Sequence, residues 1–250
     1  MCKKKFLVIF MAIIACFSAC NKPQAPLTDL DAVIAYLESK SIEDNSPENP
    51  VSLPVSISLG TMTEADSNWQ LLLNIINDAG KYVNLDLSAC ELEGTEFDPV
   101  RNLETGKQYI TFLSLPAEAK TLASFEHFNN LTNIDGTDGI INIRSNAFIN
   151  CTSLSTISFP SLGGLFDNAF VNCTSLTSVS FPVLKELYDD ALKGCTSLTS
   201  ITISEDCGIW SEDWEADYTD RFTGFTRYYL SQKKVKGTYE WNGSAWTGPF

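Results

Sequence analysis

Apolar and polar positions along the chain repeat with a fixed period. The tetrapeptide Cys-Thr-Ser-Leu begins at Cys151, at Cys173 and at Cys195, so the interval between units is constant. Beyond each leucine, apolar residues follow at the third and fifth positions, and hydroxyl-bearing residues separate them. A period in this range with one apolar face per unit predicts a solenoid, in which each unit forms a strand that stacks on the preceding unit.

The same apolar register continues towards the N-terminus with less regular spacing. Leu113 lies two periods before Ile157, and Leu131 precedes Leu154 by one period plus one extra residue. Strands are therefore predicted near residues 110, 131, 154, 176 and 198, preceded by two more near residues 53 and 85.

The segment before the repeats alternates between helical and strand patterns. Thr28 is predicted to cap a short amphipathic helix that ends at about Lys40. The alternating segment 51–59 predicts a strand, and Pro54 within it indicates an edge strand.

A second helix is predicted from Glu64 to Ala79, beginning after Thr63 and ending at Gly80, with a strand at 82–87 behind it. Strand–helix–strand at this spacing predicts a crossover between parallel strands. We therefore expect residues 28–107 to form an N-terminal α/β cap, a helical βαβ unit that closes the first end of the solenoid.

After Ile203 the repeat pattern ends and aromatic residues become frequent. Asn242-Gly243 separates two short strand-like segments and predicts a two-residue hairpin turn. Residues 208–250 are accordingly predicted to form a C-terminal cap, an aromatic β-hairpin that covers the last coil.

The N-terminus has the pattern of a secretory signal. A basic start is followed by an apolar run over residues 6–17, which is too short to span a bilayer as a helix. Residues 17–20, Phe-Ser-Ala-Cys, match a bacterial lipobox with Phe in place of the usual Leu. This predicts a lipoprotein signal peptide at 1–19, lipidation of Cys20, and a tether at 20–27. The alternative is an ordinary secretory signal with a chance cysteine.

The charge balance narrows the range of partners. The chain has 17 basic and 31 acidic side chains, a formal net charge of −14. Removal of residues 1–19 would take three lysines and no acidic residue. Such an acidic chain does not favour nucleic acid or anionic headgroups, so membrane attachment is expected through the lipid anchor only.

The repeated cysteines raise the question of covalent or metal chemistry. Cys151, Cys173 and Cys195 fall in one column, and stacked strands lie about 4.8 Å apart, so neighbours could form a disulfide. With Cys90 and Cys207 the number is odd. Buried thiols are the preferred interpretation and a bridge is the alternative. No Cys-x-x-Cys pair accompanies the column, so we expect no metal site and no cofactor.

Catalytic chemistry finds little support in the sequence. His127 is the only histidine, and no nucleophile or acid motif surrounds it. The sequence therefore predicts a protein that is not an enzyme.

The repeat unit has a specific resemblance. Over 146–203 it reads A-F-x-x-C-T-S-L-x-x-[IV]-x-[FI]-P-x-x-L-x-x-L, which resembles the BspA-like leucine-rich repeats of bacterial surface lipoproteins. The resemblance implies an α/β solenoid with repeats at 108–207. It also implies a cell-surface location, in the outer membrane, and adhesion to proteins of a host or of neighbouring bacteria.

Two surfaces are candidates for binding. The first consists of hydroxyl side chains on the strands, which are also compatible with simple strand geometry: Ser155, Thr156, Ser158, Thr177, Ser178, Ser180, Thr199, Ser200 and Thr202. Five strands give a face of only about 20–25 Å. This is below a standard interface of about 800 Å² per partner, so many copies per cell would be needed for strong adhesion.

The second candidate is aromatic. Trp214, Tyr218 and Trp241 lie among carboxylates and could stack on sugar rings, which gives a glycan-binding lipoprotein as the alternative function. The competing interpretation is that these rings are packed inside the C-terminal cap.

Overall fold

The computed structural model describes residues 24–99, 105–188, 190–210 and 221–250. The signal peptide, Cys20, Trp214 and Tyr218 all lie outside these ranges.

The described chain forms a solenoid with two rows of parallel strands. The first row runs in spatial order through β1 (Val51–Pro54), β2 (Val83–Asp86), β4 (Ile110–Ser114), β6 (Asn133–Asp135), β8 (Thr156–Ser158), β10 (Ser178–Phe181) and β12 (Ser200–Ile203). The second row runs through β3 (Glu96–Phe97), β5 (Thr121–Leu122), β7 (Asn142–Ile143), β9 (Gly164–Leu165), β11 (Glu186–Tyr188) and β13 (Gly208–Trp210). The predicted parallel-strand solenoid is thus confirmed.

The first row consists of two sheets in line that meet between β6 and β8. There the Ser155 amide donates to the Thr132 carbonyl at 3.0 Å. The sequence pattern does not predict the second row, because its very short strands cannot show an alternating pattern.

Four predicted strand centres, at residues 131, 154, 176 and 198, lie just before the strands begin. These leucines close the turn before the strand, as the bond from the Leu154 amide to the Cys151 carbonyl (3.2 Å) illustrates. All four leucines are fully buried, so their assignment to the core still holds.

Aromatic side chains stack from coil to coil between the rows. Phe125, Phe148 and Phe170 are fully buried, with ring centroids 4.3 Å apart for the first pair and 4.8 Å for the second. Offset stacking at such distances adds to the free energy gained by burial. One phenylalanine at the same place in each successive coil therefore produces a continuous aromatic column.

The turns use residues that tolerate left-handed backbone. Asn150 and Asn172 have φ of 61° and 60°, and the Asn172 side-chain amide donates to Asn150 Oδ1 at 3.1 Å. In the third unit Gly194 takes this position, with φ of 76°. A Cβ there would lie 2.3 Å from Asn172 Oδ1, which explains why the repeat departs from asparagine at this point.

Two helices precede the repeats, and both begin later than predicted. Helix α1 (Leu30–Glu38) is capped by Asp29, whose Oδ1 accepts from the Ala32 amide at 2.7 Å, so the assignment of the cap to Thr28 is wrong. Helix α2 (Asn68–Ala79) is capped by Ser67 rather than Thr63.

Residues 64–67 form a turn instead of helix, closed by the bond from the Ser67 amide to the Glu64 carbonyl. Gly80 ends α2 with φ of 59°, as predicted. Strands β1 and β2, on either side of α2, pair in parallel, and β1 lies at the sheet edge where Pro54 is tolerated.

The predicted strand 51–59 is shorter in the structure. Only Val51–Pro54 is regular strand, although Val55, Ile57 and Leu59 are still buried in the core. Beyond Pro54 the chain forms isolated bridges, in which Val55 pairs with Leu27 and Ser58 with Glu91.

The pairing of β2 with β4 contains an irregularity. Val83 aligns with Ile110, and Asn84 aligns with Phe112, so Thr111 is an extra residue on β4. Such a bulge reverses the side of the sheet on which the following side chains lie. Here it keeps Ile110 and Leu113 in the core and places Phe112 on the outer side.

The C-terminal segment adds a helix that the sequence pattern does not predict, α3 (Arg221–Ser231). The Tyr229 hydroxyl on α3 donates to the Ser204 carbonyl at 2.9 Å and accepts from the Cys207 amide at 3.0 Å. The helix is thereby held against the chain that leaves the last repeat.

Strand β14 (Gly237–Trp241) pairs antiparallel with β12, and β15 (Trp246–Thr247) pairs antiparallel with β14. Trp241 faces Trp246, so the loop between them covers 242–245 and the predicted two-residue turn is wrong. The Asn242 side-chain oxygen accepts from the amides of Ser244 and Ala245, which stabilises the longer loop.

Candidate functional site

The outer face of the first row is a grid of two columns. One column comprises Ser52, Asn84, Phe112, Asn133, Thr156, Ser178, Ser200 and Glu240. The other comprises Pro54, Asp86, Ser114, Asp135, Ser158, Ser180, Thr202 and Thr238. Eight strands at about 4.8 Å spacing make this face about 34 Å long. It is longer than the five-strand estimate because β1, β2 and β14 extend it.

A third set of predicted binding residues points along the solenoid. Thr177 Oγ1 donates to the Ser155 carbonyl at 3.0 Å, and Thr199 Oγ1 donates to the Thr177 carbonyl at 3.1 Å. One coil earlier, Ser155 Oγ donates to the Thr132 carbonyl at 3.0 Å. One coil before that, Thr132 Oγ1 donates to the Thr111 carbonyl at 2.9 Å. Their hydroxyl protons are therefore used between coils. We call this set the hydroxyl ladder.

The two outer columns differ from the ladder. Within the part of the chain that the structure describes, five of the six predicted hydroxyls in these columns make no hydrogen bond to another protein group: Thr156, Ser158, Ser178, Ser180 and Ser200. Thr202 is the exception, since its Oγ1 lies 2.8 Å from Thr238 Oγ1 on β14. The grid thus presents unused donors and acceptors to solvent.

Phe112 is the aromatic residue of the grid. It is half-buried and sits between Asn84 and Asn133 in the register. A large aromatic ring surrounded by small polar side chains is the usual composition of an interface hot spot. Sequence reasoning missed Phe112, although its position in the unit corresponds to that of Thr156, where the regular repeats have a polar residue.

Of the three side chains in the predicted glycan site, only Trp241 lies within the described residues. Trp241 is half-buried, packs against the core, and has its ring centroid 5.9 Å from that of Trp246 in a T-shaped arrangement. Because Trp214 and Tyr218 lie outside the described residues, the glycan site that combines the three side chains stays a prediction.

The cysteines are free thiols in the core, which confirms the preferred interpretation of the column. The Sγ atoms of Cys151, Cys173 and Cys195 donate to the carbonyls of Phe125, Phe148 and Phe170 at 3.1–3.2 Å. Cys90 and Cys207 are also buried and free.

Thiol chemistry at neutral pH is disfavoured by this burial. Burial raises the pKa of Cys90, Cys151 and Cys207, to about 12 for Cys207. The nucleophile is the thiolate, so these side chains are unreactive in the folded protein. Across the described ranges, no group of three or more His, Cys, Asp or Glu side chains is placed to hold a metal ion.

Two basic side chains are buried in the described ranges, Lys81 and Lys107. Lys107 is fully buried with its ammonium 5.5 Å from the centroid of the Phe128 ring. Burial lowers the pKa of Lys107 to about 8, and the nearby carboxylates of Glu126 and Asp98 oppose this shift. Its position beneath the surface indicates a structural cation rather than a binding group.

The described helices are short. None of them combines the length and the apolar character that crossing a membrane requires.

Comparison with known families identifies the repeat. Residues 106–213 match the model of the BspA-type leucine-rich repeat region in six copies. The repeat type that the sequence resembles is therefore confirmed for this part of the chain. No curated protein sequence matches the chain.

Several solved structures are similar to it. A leucine-rich repeat protein of T. pallidum is 21% identical over 48% of this chain and 65% of its own, with a TM-score of 0.33. A leucine-rich cell surface protein of Faecalibacterium prausnitzii is 17% identical over 77% of this chain and 48% of its own, with a TM-score of 0.35. A leucine-rich repeat protein of Eubacterium ventriosum is 15% identical, covering 68% of this chain and 67% of its own, with a TM-score of 0.25. The chain thus spans between about half and two thirds of the length of these proteins.

Proposed function

We propose that this chain, which carries BspA-type leucine-rich repeats over residues 106–213, is a bacterial cell-surface lipoprotein that binds another protein through the outer grid of its first row. The observation that carries the proposal is the grid itself. It combines a flat array of hydroxyls without intramolecular partners and one half-buried aromatic ring, Phe112.

The chemistry of the grid suits a protein partner. Unpaired Ser and Thr hydroxyls both donate and accept hydrogen bonds, so they fit backbone and side-chain amides of a partner. Phe112 would bury apolar area within such an interface, while the small polar side chains around it exclude water. The acidic members of the grid, Asp86, Asp135 and Glu240, favour a partner whose facing surface is neutral or basic.

The size of the grid sets the expected affinity. A face about 34 Å long and only two columns wide is smaller than a standard interface. One copy would therefore bind weakly. Many copies held on one cell would bind a host surface or a neighbouring bacterium with avidity.

The remaining segments serve this arrangement in our proposal. Residues 28–107 and 208–250 act as caps that cover the first and last coils, since an uncovered end would expose core. Cys20 carries the lipid that holds the chain at the cell envelope, and residues 20–27 are the tether. Palmitate labelling that persists in a Cys20→Ser variant would refute the anchor.

The binding proposal is tested on cells that display the full chain. Ser178→Arg places a large cation in the middle of the grid, and we expect it to lower adhesion to immobilised host matrix proteins or to partner bacteria at least tenfold. The matched control is Thr174→Arg, which adds the same side chain at an exposed position in a turn outside both rows of strands. Adhesion that both variants reduce equally, or that neither changes, would contradict the proposal.

A further inference from the structure

The outer face of the second row carries an aromatic column. Phe166, Tyr188 and Trp210 recur at the interval of the repeat and lie side by side on successive coils. Tyr188 pairs with Trp210 in the register of β11 and β13, and Phe166 directly follows β9, whose Leu165 pairs with Leu187. We call these three side chains the aromatic ladder.

The rings lie along their strands rather than standing away from them. A Cβ added at Gly164 would lie 3.1 Å from Cζ of Phe166, and one at Gly208 would lie 3.5 Å from Nε1 of Trp210. The Phe166 and Trp210 rings therefore each cover the glycine that opens their own strand.

The solvent-facing surface is substantial. Trp210 is 53% exposed, and Phe166 and Tyr188 are half-buried. The Phe166 and Tyr188 centroids are 5.8 Å apart and their planes are inclined by 51°. Phe166 and Tyr188 are thus tilted against each other rather than stacked in parallel.

The polar groups around the ladder include charges of both signs. Arg144, on the coil before Phe166, makes two hydrogen bonds to the carboxylate of Glu96 at 2.9 and 3.0 Å. Glu186 on β11 is preceded by Lys185, and both are exposed. Asp167 follows Phe166, and Asp190 accepts from the Asn168 amide beside it, so these surroundings disfavour a polyanion. Asn142 and Glu186 offer hydrogen bonds to hydroxyl groups.

We propose that the aromatic ladder is a binding platform for a neutral oligosaccharide, with one sugar ring stacked on each aromatic ring. Aromatic faces carry negative charge density and attract the weakly positive C–H groups on the flat side of a pyranose. Successive coils are about 4.8 Å apart, which is similar to the advance of an extended sugar chain per residue. The ladder lies on a different row of strands from the grid and is independent of the protein-binding function proposed above.

The test measures calorimetric binding of neutral hexasaccharides of glucose, xylose, mannose and N-acetylglucosamine to the purified full chain. We expect one of them to bind, and we expect Tyr188→Ala and Trp210→Ala each to weaken that binding about tenfold, the effect of removing one stacked ring. Trp210→Phe keeps an aromatic face and should restore most of the affinity.

The control is Phe250→Ala, which removes an aromatic side chain that is 74% exposed and lies away from the ladder, beside Thr238 on β14. Its thermal midpoint and sugar affinity should equal those of the unaltered chain. Ser178→Arg should also leave sugar binding unchanged, which separates this site from the grid.

Three results would overturn the proposal. In the first, none of the hexasaccharides binds at millimolar concentration. In the second, Trp210→Ala binds them as well as the unaltered chain does. In the third, the ladder variants lose binding of a basic peptide such as oligolysine and have no effect on sugars, which would assign the aromatic faces to cation binding instead.

Discussion

The grid on the first row and the aromatic ladder on the second row are two outer faces built from the same coils. On the first row, the longer strands present small hydroxyls that stand between buried columns. On the second row, the shorter strands present large rings, two of which lie across glycines.

The difference shows how one repeat can encode two surfaces. The buried positions are constrained by packing and are nearly identical from unit to unit, so both faces share a single core. The outer positions are constrained only by the width of the strand. Strands with small side chains give a hydrogen-bonding surface, and a glycine two residues before an aromatic gives an apolar one.

A substitution that damages the shared core should impair the grid and the aromatic ladder together. Phe148→Ala deletes the central ring of the buried aromatic column, where it contacts Phe125 and Phe170. We expect a loss of about 3–5 kcal/mol in the free energy of unfolding, measured by urea denaturation followed by circular dichroism. Adhesion and sugar binding should fall together. Loss of only one of them would mean that the faces fold independently.

On the first row, a smaller loss of stability should distinguish the hydroxyls of the hydroxyl ladder from those of the grid. Thr177→Val removes a hydrogen bond of the hydroxyl ladder with little change in shape, and we expect it to cost about 1 kcal/mol of stability. Ser178→Ala, the neighbouring position on the grid, should change stability by less than about 0.5 kcal/mol. The comparison uses the same denaturation measurement. Equal costs for the two substitutions would show that the grid hydroxyls are also structural.

The smallest effect should come from the second row. Gly164→Ala puts a methyl group 3.1 Å from Phe166 Cζ, so the ring must shift by a few tenths of an ångström. We expect a change of about 0.5 kcal/mol or less in stability and a change in the near-ultraviolet circular dichroism of the aromatic residues. The control is Gly163→Ala, where no atom lies within 4 Å of the added methyl group. Indistinguishable spectra for the two variants would mean that Phe166 does not lie against Gly164 in solution.

The sequence predicts the first row well because that row determines the repeat. Leu154, Ile157 and Phe159 recur in register over a segment long enough to show a pattern, and all three are buried. Helix termini were harder to predict. Asp29 lies next to Thr28, and the turn before Ser67 is held by its own hydrogen bonds, so several residues competed for each cap.

The functional surfaces are less predictable because their residues do not repeat in the same way. Phe112 replaces a polar residue at one coil only, and the bulge at Thr111 decides which side it faces. The aromatic ladder does keep the regular interval of the repeat, but its partners Gly164 and Gly208 have meaning only once the short strands are known. Side-chain orientation over glycine is a three-dimensional fact that periodicity does not contain.

The side-chain donors that bond between regular coils share one direction. The hydroxyls of Thr177 and Thr199, the thiol of Cys195 and the amide of Asn172 each reach back to the coil that precedes them in the chain. A newly synthesised coil can therefore satisfy these donors on a coil that has already left the ribosome, without waiting for the sequence to come. Growth of the solenoid from its N-terminal end matches the order in which the polypeptide is made.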